Sequence, residues 1–213
     1  PYLSDAWFDA CRTAAKEARK YGMQAWIYDE DGWPSGFAGG RVNGLGEEYV
    51  SKHFEFFTSR PDDDKRIIAA YKKTGASYQR CEYSEAELWA VYELENDYAD
   101  LLSSRVTKAF LNITYERYKE ELGEYFGETV PGFFTDEPQF FRTGYPYSFE
   151  LKDYFKIRND YELEEGLYYL LPSFQDEKSR KFRLDFWNTI EEMMTENFSR
   201  QIFDWCDRNG VIF

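Results

Sequence analysis

The sequence predicts an α/β chain that forms part of a (β/α)8 barrel, with a small antiparallel β-sheet inserted into it. Helical and strand patterns alternate along most of the 213 residues, which favours a parallel sheet. Acidic residues follow two predicted strands, as catalytic residues do at the carboxyl ends of barrel strands. Because a complete barrel takes about 250 residues and only about four barrel strands can be assigned, we expect one incomplete barrel domain over 1–213, from about strand two to strand five.

The first predicted elements are a helix capped by Ser4 and ended by Gly22, and a buried strand over 23–28. An inserted β subdomain is expected over about 41–87, with strands at 54–58, 66–72 and 78–83. Residues 88–95 are expected to return to the main sheet. The remaining predictions are a helix from 103 or 104 to 126, a strand from 130, short helices at 148–157 and 161–170, a helix over 179–207 and a strand from 211.

Composition excludes several classes of function. The net charge of −14 argues against binding to nucleic acid and to an anionic membrane surface, because both require a basic surface. A neutral substrate fits this charge better. The aromatic content of 20% fits either ordinary packing or platforms for a ligand with flat apolar faces, such as a sugar.

Cysteine and histidine usage predicts neither a disulfide framework nor a metal site. Cys11, Cys81 and Cys206 are too widely spaced for a zinc motif. His53 is the one histidine, and its sequence neighbours supply no charge-relay partner, so a structural or exposed position is expected. No segment approaches the roughly 20 apolar residues of a membrane span. No signal peptide is present, but because the chain begins abruptly the location stays open, with the cytoplasm favoured.

The first motif follows the strand over 23–28. It places acids and aromatic residues where the strand ends, and we predict that they bind the substrate: Tyr28, Asp29, Glu30, Asp31 and Trp33. The glycines over 36–40 match neither the dinucleotide nor the Walker spacing. A tight loop that allows close approach of the backbone is expected there instead of a phosphate site.

The second motif is the segment over 130–139, an apolar run closed by Asp136, Glu137 and Pro138. Pro138 prevents simple continuation of a strand. We therefore predict that Glu137 is a catalytic acid, with Asp136 beside it as the second catalytic residue of the motif. The alternative is that both are solvated turn carboxylates, since acidic residues before a proline are common in turns.

Three stretches, over 26–40, 132–138 and 204–211, resemble the catalytic barrel of bacterial α-L-rhamnosidases of glycoside hydrolase family 106 and related uncharacterised glycosyl hydrolases. The resemblance covers nearly the whole chain. It implies a glycosidase built on a (β/α)8 barrel, with this chain running from just after strand one to the start of strand five. For family 106 it also implies an inverting reaction and a calcium ion in the full-length protein, although no cofactor is expected within this chain.

The segment Thr135-Asp136-Glu137-Pro138 is also similar to the Asn-Glu-Pro of the large clan of barrel glycosidases, where the glutamate is the general acid. The resemblance thus implies that Glu137 is the acid, while the change from Asn to Asp136 alters the hydrogen bonding around the substrate. Glycoside hydrolysis needs a second carboxylate. It is expected among Asp29, Glu30 and Asp31 or, preferentially, beyond Phe213, in which case the chain alone is inactive.

Two classes of function follow. The first is a piece of a glycoside hydrolase that cleaves a terminal glycosidic bond. The family resemblance implies an α-L-rhamnoside as the substrate, and a β-galactoside or a glucuronide is the alternative. The second is a non-catalytic carbohydrate-binding or scaffold module. The expected partners are a carbohydrate, the remainder of the same barrel, and a second copy of the chain through exposed barrel edges; neither nucleic acid nor a membrane is expected.

Overall fold

A computed structural model describes residues 1–140 and 142–213. The chain divides into two compact units. Unit 1 comprises Pro1–Val50, Asn96–Phe140 and Thr195–Phe213, and unit 2 comprises Ser51–Glu95 and Phe141–Met194. Both predicted acidic motifs fall within unit 1.

The described residues contain helices and strands in mixed order. The helices are α1 (Asp5–Lys20), α2 (Ser104–Ile113), α3 (Tyr115–Leu122), α4 (Leu151–Asn159), α5 (Glu177–Met194) and α6 (Arg200–Arg208). The strands are β1 (Ile27–Tyr28), β2 (Val50–Phe57), β3 (Ile67–Thr74), β4 (Ser77–Arg80), β5 (Leu88–Ala99), β6 (Phe133–Phe134) and β7 (Tyr145–Tyr147).

The core of unit 1 forms around Phe133 of β6, which is 1% exposed. Its ring stacks on Tyr115 of α3 with centroids 4.3 Å apart. Tyr118 and Trp205 meet the same ring edge to face. Aromatic pairs of this kind bury large areas and favour offset or edge-to-face geometry. This cluster fixes β6 between α3 and α6 and so positions the loop that follows β6.

The core of unit 2 lies on a curled five-stranded antiparallel sheet with the order β4-β3-β5-β2-β7. Phe54 of β2 is fully buried and packs against Tyr145, Tyr147 and, from α5, Phe186. The first five residues of both β2 and β3 are buried in succession, which indicates that these strand segments are covered on both faces.

The predicted (β/α)8 barrel fragment is wrong. The parallel sheet contains only β1 and β6 among the described residues, with isolated parallel bridges between Gly132 and Ile212 and between Phe126 and Val130. The segment expected to return to a parallel sheet, β5, instead pairs antiparallel with β3. This pairing buries Ile67 and Ala70 of β3 with Trp89 and Val91 of β5 in one apolar cluster, and burial of apolar surface stabilises it.

Two predicted long helices are interrupted. The helix expected over 104–126 divides at Thr114, whose hydroxyl donates to the carbonyl of Phe110 at 2.6 Å. The helix expected over 179–207 contains a π-helical turn at Thr195–Ser199. Within that turn the side-chain amide of Asn197 donates to the carbonyl of Leu102 at 2.6 Å. In both places a side chain bonds to backbone in competition with a regular helix, an effect that periodicity does not reveal.

None of the helices in the described residues combines the length and apolarity that crossing a membrane requires.

Candidate active site

The pairing of β1 with β6 brings the two acidic motifs to one edge of the parallel sheet. Ile27 lies opposite Phe133, and Tyr28 lies opposite Phe134. The amide of Asp29 donates to the carbonyl of Phe134 at 3.3 Å, which extends the ladder by one step. Because β1 and β6 are parallel, both strands end at the same edge of the sheet, where ligand sites of parallel sheets are commonly found.

Hydrogen bonds join the loops that follow these two strands. The amide of Ser35 donates to the carbonyl of Asp136 at 3.0 Å, and the amide of Asp136 donates to Ser35 Oγ at 2.9 Å. The indole N–H of Trp33 donates to Glu137 Oε2 at 3.2 Å. The loops therefore form a single structure, which we call the acid loop pair: residues 29–40 and 135–138.

Glu137 is exposed and lies at the tip of the acid loop pair. Its φ of 43° is in the left-handed region, which is uncommon for a residue with a side chain and often found at functional sites. Within the described residues Glu137 forms no ion pair, and Oε1 has no protein partner. A carboxyl group in this setting can exchange a proton with a ligand.

Asp29 is the buried acid of the site, with no exposed surface. The Tyr115 hydroxyl donates to Asp29 Oδ2 at 2.7 Å, whereas Oδ1 is buried without a hydrogen-bond partner. Burial raises the pKa of Asp29 to about 6, although the hydroxyls of Ser35, Tyr115 and Thr135 favour the charged form and oppose this shift. Asp29 thus faces the protein interior and links β1 to α3.

Glu30 is 1% exposed and fills a cradle of backbone amides. Its carboxylate accepts five N–H bonds, from Asp31 at 2.9 Å, Gly36 at 3.1 Å, Phe37 at 3.0 Å, Ala38 at 2.7 Å and Gly39 at 2.6 Å. Burial raises the pKa of Glu30, and the amides oppose this shift by favouring the charged form. The glycine loop is therefore an anion-binding nest whose anion is a side chain of the same chain.

The other predicted binding residues lie nearer to the surface. The Tyr28 ring stacks on Phe134 with centroids 4.9 Å apart and an interplanar angle of 18°. Trp33 is 56% exposed and Phe134 is 47% exposed. Asp31 is exposed beside Gly39, where an added Cβ would lie 3.3 Å from Asp31 Oδ2. These side chains offer flat apolar surfaces together with a carboxylate.

A cavity of about 260 Å³ in unit 1 lies apart from the two catalytic candidates. It is mainly apolar and includes Tyr28 and Glu30, but neither Asp136 nor Glu137. The remaining lining residues are Trp7, Cys11, Ala14, Ala15, Ala25, Trp26, Ile27, Tyr118, Leu122 and Val130. Glu137 is exposed and is not among the residues that line this cavity.

Unit 2 contains a second polar cluster, around His53. The His53 Nδ1 atom lies 3.3 Å from Glu95 Oε1, and Nε2 lies 4.0 Å from Glu93 Oε2. Ser51 Oγ donates to Glu95 Oε2 at 2.9 Å. The residues next to His53 in sequence did not predict its contacts with Glu93 and Glu95, because both glutamates belong to β5. Since His53 is only 8% exposed, the cluster offers a ligand little access.

The structure thus brings together Trp33, Asp136 and Glu137, and directs Asp29 and Glu30 into the protein. Sequence reasoning missed Ser35 and Tyr115, which connect these residues. The repeated glycines over 36–40 carried a usable signal, because they already indicated close approach of a backbone. In the parts of the chain that the structure describes, no group of three or more His, Cys, Asp or Glu side chains could hold a metal ion.

No family model, curated protein or solved structure matches the chain. The function is therefore argued from the geometry of the acid loop pair, and the family resemblance of the three stretches stays a prediction.

Proposed function

We propose that the chain is part of a glycoside hydrolase in which Glu137 is the general acid. The observation that carries the proposal is the pairing of the two loops, which sets the exposed carboxyl group of Glu137 beside the exposed aromatic ring of Trp33. Aromatic faces accept the apolar faces of sugar rings. A neutral carbohydrate also suits a chain with a net charge of −14.

In this reaction Glu137 donates its proton to the glycosidic oxygen. The bond from the anomeric carbon to that oxygen breaks, and its electron pair remains on the oxygen of the leaving group. In an inverting reaction the second carboxylate takes a proton from water, whose hydroxyl bonds to the anomeric carbon. In a retaining reaction the second carboxylate bonds to the anomeric carbon, and water then displaces it while the deprotonated Glu137 takes the proton of that water. Of Asp29, Glu30 and Asp31, only Asp31 is exposed, so Asp31 is the candidate from this loop. The family resemblance makes an α-L-rhamnoside the first substrate to test.

The second candidate function is carbohydrate binding without turnover. One observation favours it: the Glu137 side chain is exposed to solvent, whereas catalytic sites commonly exclude water. A Lys or Arg paired with Glu137 would have favoured it further, and the described residues contain no such pair.

We expect Glu137→Gln to lower the hydrolysis of aryl glycosides, α-L-rhamnoside included, by at least about a hundredfold, the usual contribution of a general acid. The amide keeps the shape of the side chain but carries no acidic proton. The measurement is initial release of the aryl alcohol by the full-length protein, here called the parent, and by its Glu137→Gln variant, with unfolding curves recorded to show that both are folded.

Glu128→Gln is the matched control, because Glu128 is also an exposed glutamate of unit 1. Its rate should equal that of the parent. Equal turnover by Glu137→Gln and the parent would contradict the assignment of the acid. Sugar binding by the full-length parent without turnover on any glycoside would support the binding module instead.

A further inference from the structure

The indole of Trp33 makes a directed contact with one oxygen of Glu137. The Nε1 atom lies 3.2 Å from Oε2, within the range of an N–H···O hydrogen bond. Because the Trp33 side chain is more than half exposed, the indole is not held there by burial in a core. The contact therefore leaves a ring face open to a ligand while the N–H is engaged.

The backbone beneath this contact is fixed from both sides. Ser35 and Asp136 exchange two hydrogen bonds at 2.9 and 3.0 Å, one residue before Glu137 and two residues after Trp33. The Tyr98 hydroxyl also donates to the carbonyl of Ser35. The left-handed φ of Glu137 is sustained only where the surroundings determine it. The indole and the carboxyl group are thus held together by their loops.

We propose that Trp33 is the positioning residue of Glu137. The indole N–H of Trp33 keeps Glu137 Oε2 as a hydrogen-bond acceptor and leaves Glu137 Oε1 to carry the proton that is donated to the glycosidic oxygen. The carboxyl oxygen that accepts the indole N–H is stabilised in its unprotonated form, so the proton resides on the other oxygen. Oε1, which has no protein partner in the described residues, then points the proton toward the ligand. The catalytic part of this proposal rests on the proposed function.

The kinetic test separates positioning from sugar stacking. Trp33→Phe removes the N–H but retains an aromatic ring, so we expect kcat to fall about tenfold, the size of one hydrogen bond to a charged group, while KM stays unchanged. Trp33→Ala removes the ring as well and should also raise KM. Trp26→Phe, at another exposed tryptophan of unit 1, should leave both constants unchanged. An unchanged kcat for Trp33→Phe would overturn the catalytic part.

A second test does not depend on turnover. In ¹H–¹⁵N spectra, the indole resonance that Trp33→Phe removes is that of Trp33. We expect Glu137→Gln to shift this resonance upfield, because a neutral amide oxygen is a weaker acceptor than a carboxylate, and Glu128→Gln to leave it in place. If the chemical shift of the Trp33 indole resonance does not change in Glu137→Gln, the positioning contact is overturned. If the resonance shifts but the full-length protein hydrolyses no glycoside, the contact between Trp33 and Glu137 is supported and the proposed function is rejected.

Discussion

Glu30→Gln is expected to lower the free energy of unfolding by about 3 kcal/mol or more, because buried donors that lose their acceptor cost about 1 to 3 kcal/mol each. In the parent, Oε1 accepts two amides and Oε2 accepts three. A glutamine side chain must direct its NH2 group at one of these two sets. The loss is measured as the shift in urea midpoint at constant slope.

The control is again Glu128→Gln, which changes an exposed carboxylate and should alter stability by no more than about 0.5 kcal/mol. Glu30→Ala provides a further check, because it empties the nest of its anion. Added formate should stabilise Glu30→Ala and leave the parent unchanged, as expected for a ligand that binds only the folded state. A Glu30→Gln protein as stable as the parent would show that the five amides do not depend on the carboxylate.

Asp29→Asn is expected to remove a pH dependence of about 3 kcal/mol, the equivalent of raising a pKa from 3.8 to about 6. A pKa raised in the folded state means that the folded protein binds the proton more tightly than the unfolded chain. This contribution is fully present below pH 4 and is lost as the pH rises to 6 and above. The variant should therefore gain stability relative to the parent between pH 4 and pH 7.

Tyr115→Phe is expected to enlarge the pH dependence of stability that Asp29→Asn removes. The Tyr115 hydroxyl donates to Asp29 Oδ2 and lowers its pKa, so its removal should raise that pKa further and enlarge the loss of stability with pH. Thermal unfolding at each pH, in buffers of equal ionic strength, measures both effects. Parallel stability curves for the parent and Asp29→Asn would refute a buried acid with a raised pKa.

Sequence patterns predicted local features better than they predicted the connections between elements. The inserted antiparallel strands and the acidic segments after two short parallel strands could be found from alternation and from Gly and Pro signals. The pairing of β5 could not, since the strand Leu88–Ala99 is equally apolar whether its neighbour is parallel or antiparallel.

The candidate site was likewise only partly accessible from sequence. A strand followed by Asp29, Glu30 and Asp31 indicates acids at a sheet edge, but the direction of each side chain depends on the loop fold. Glu30 turns into the nest because the glycine loop brings amides to it, and Asp29 turns toward Tyr115, which lies 86 residues away in sequence. Contacts over such separations leave no periodic pattern.

The most direct measurement is a crystal structure of Glu137→Gln soaked with an aryl α-L-rhamnoside. We expect the sugar ring to lie on Trp33, with the glycosidic oxygen about 2.6 to 3.2 Å from the side-chain amide at position 137, within reach for proton transfer in the parent. A sugar bound only elsewhere, such as in the apolar cavity beside β1, would contradict the assignment of the acid loop pair as the active site.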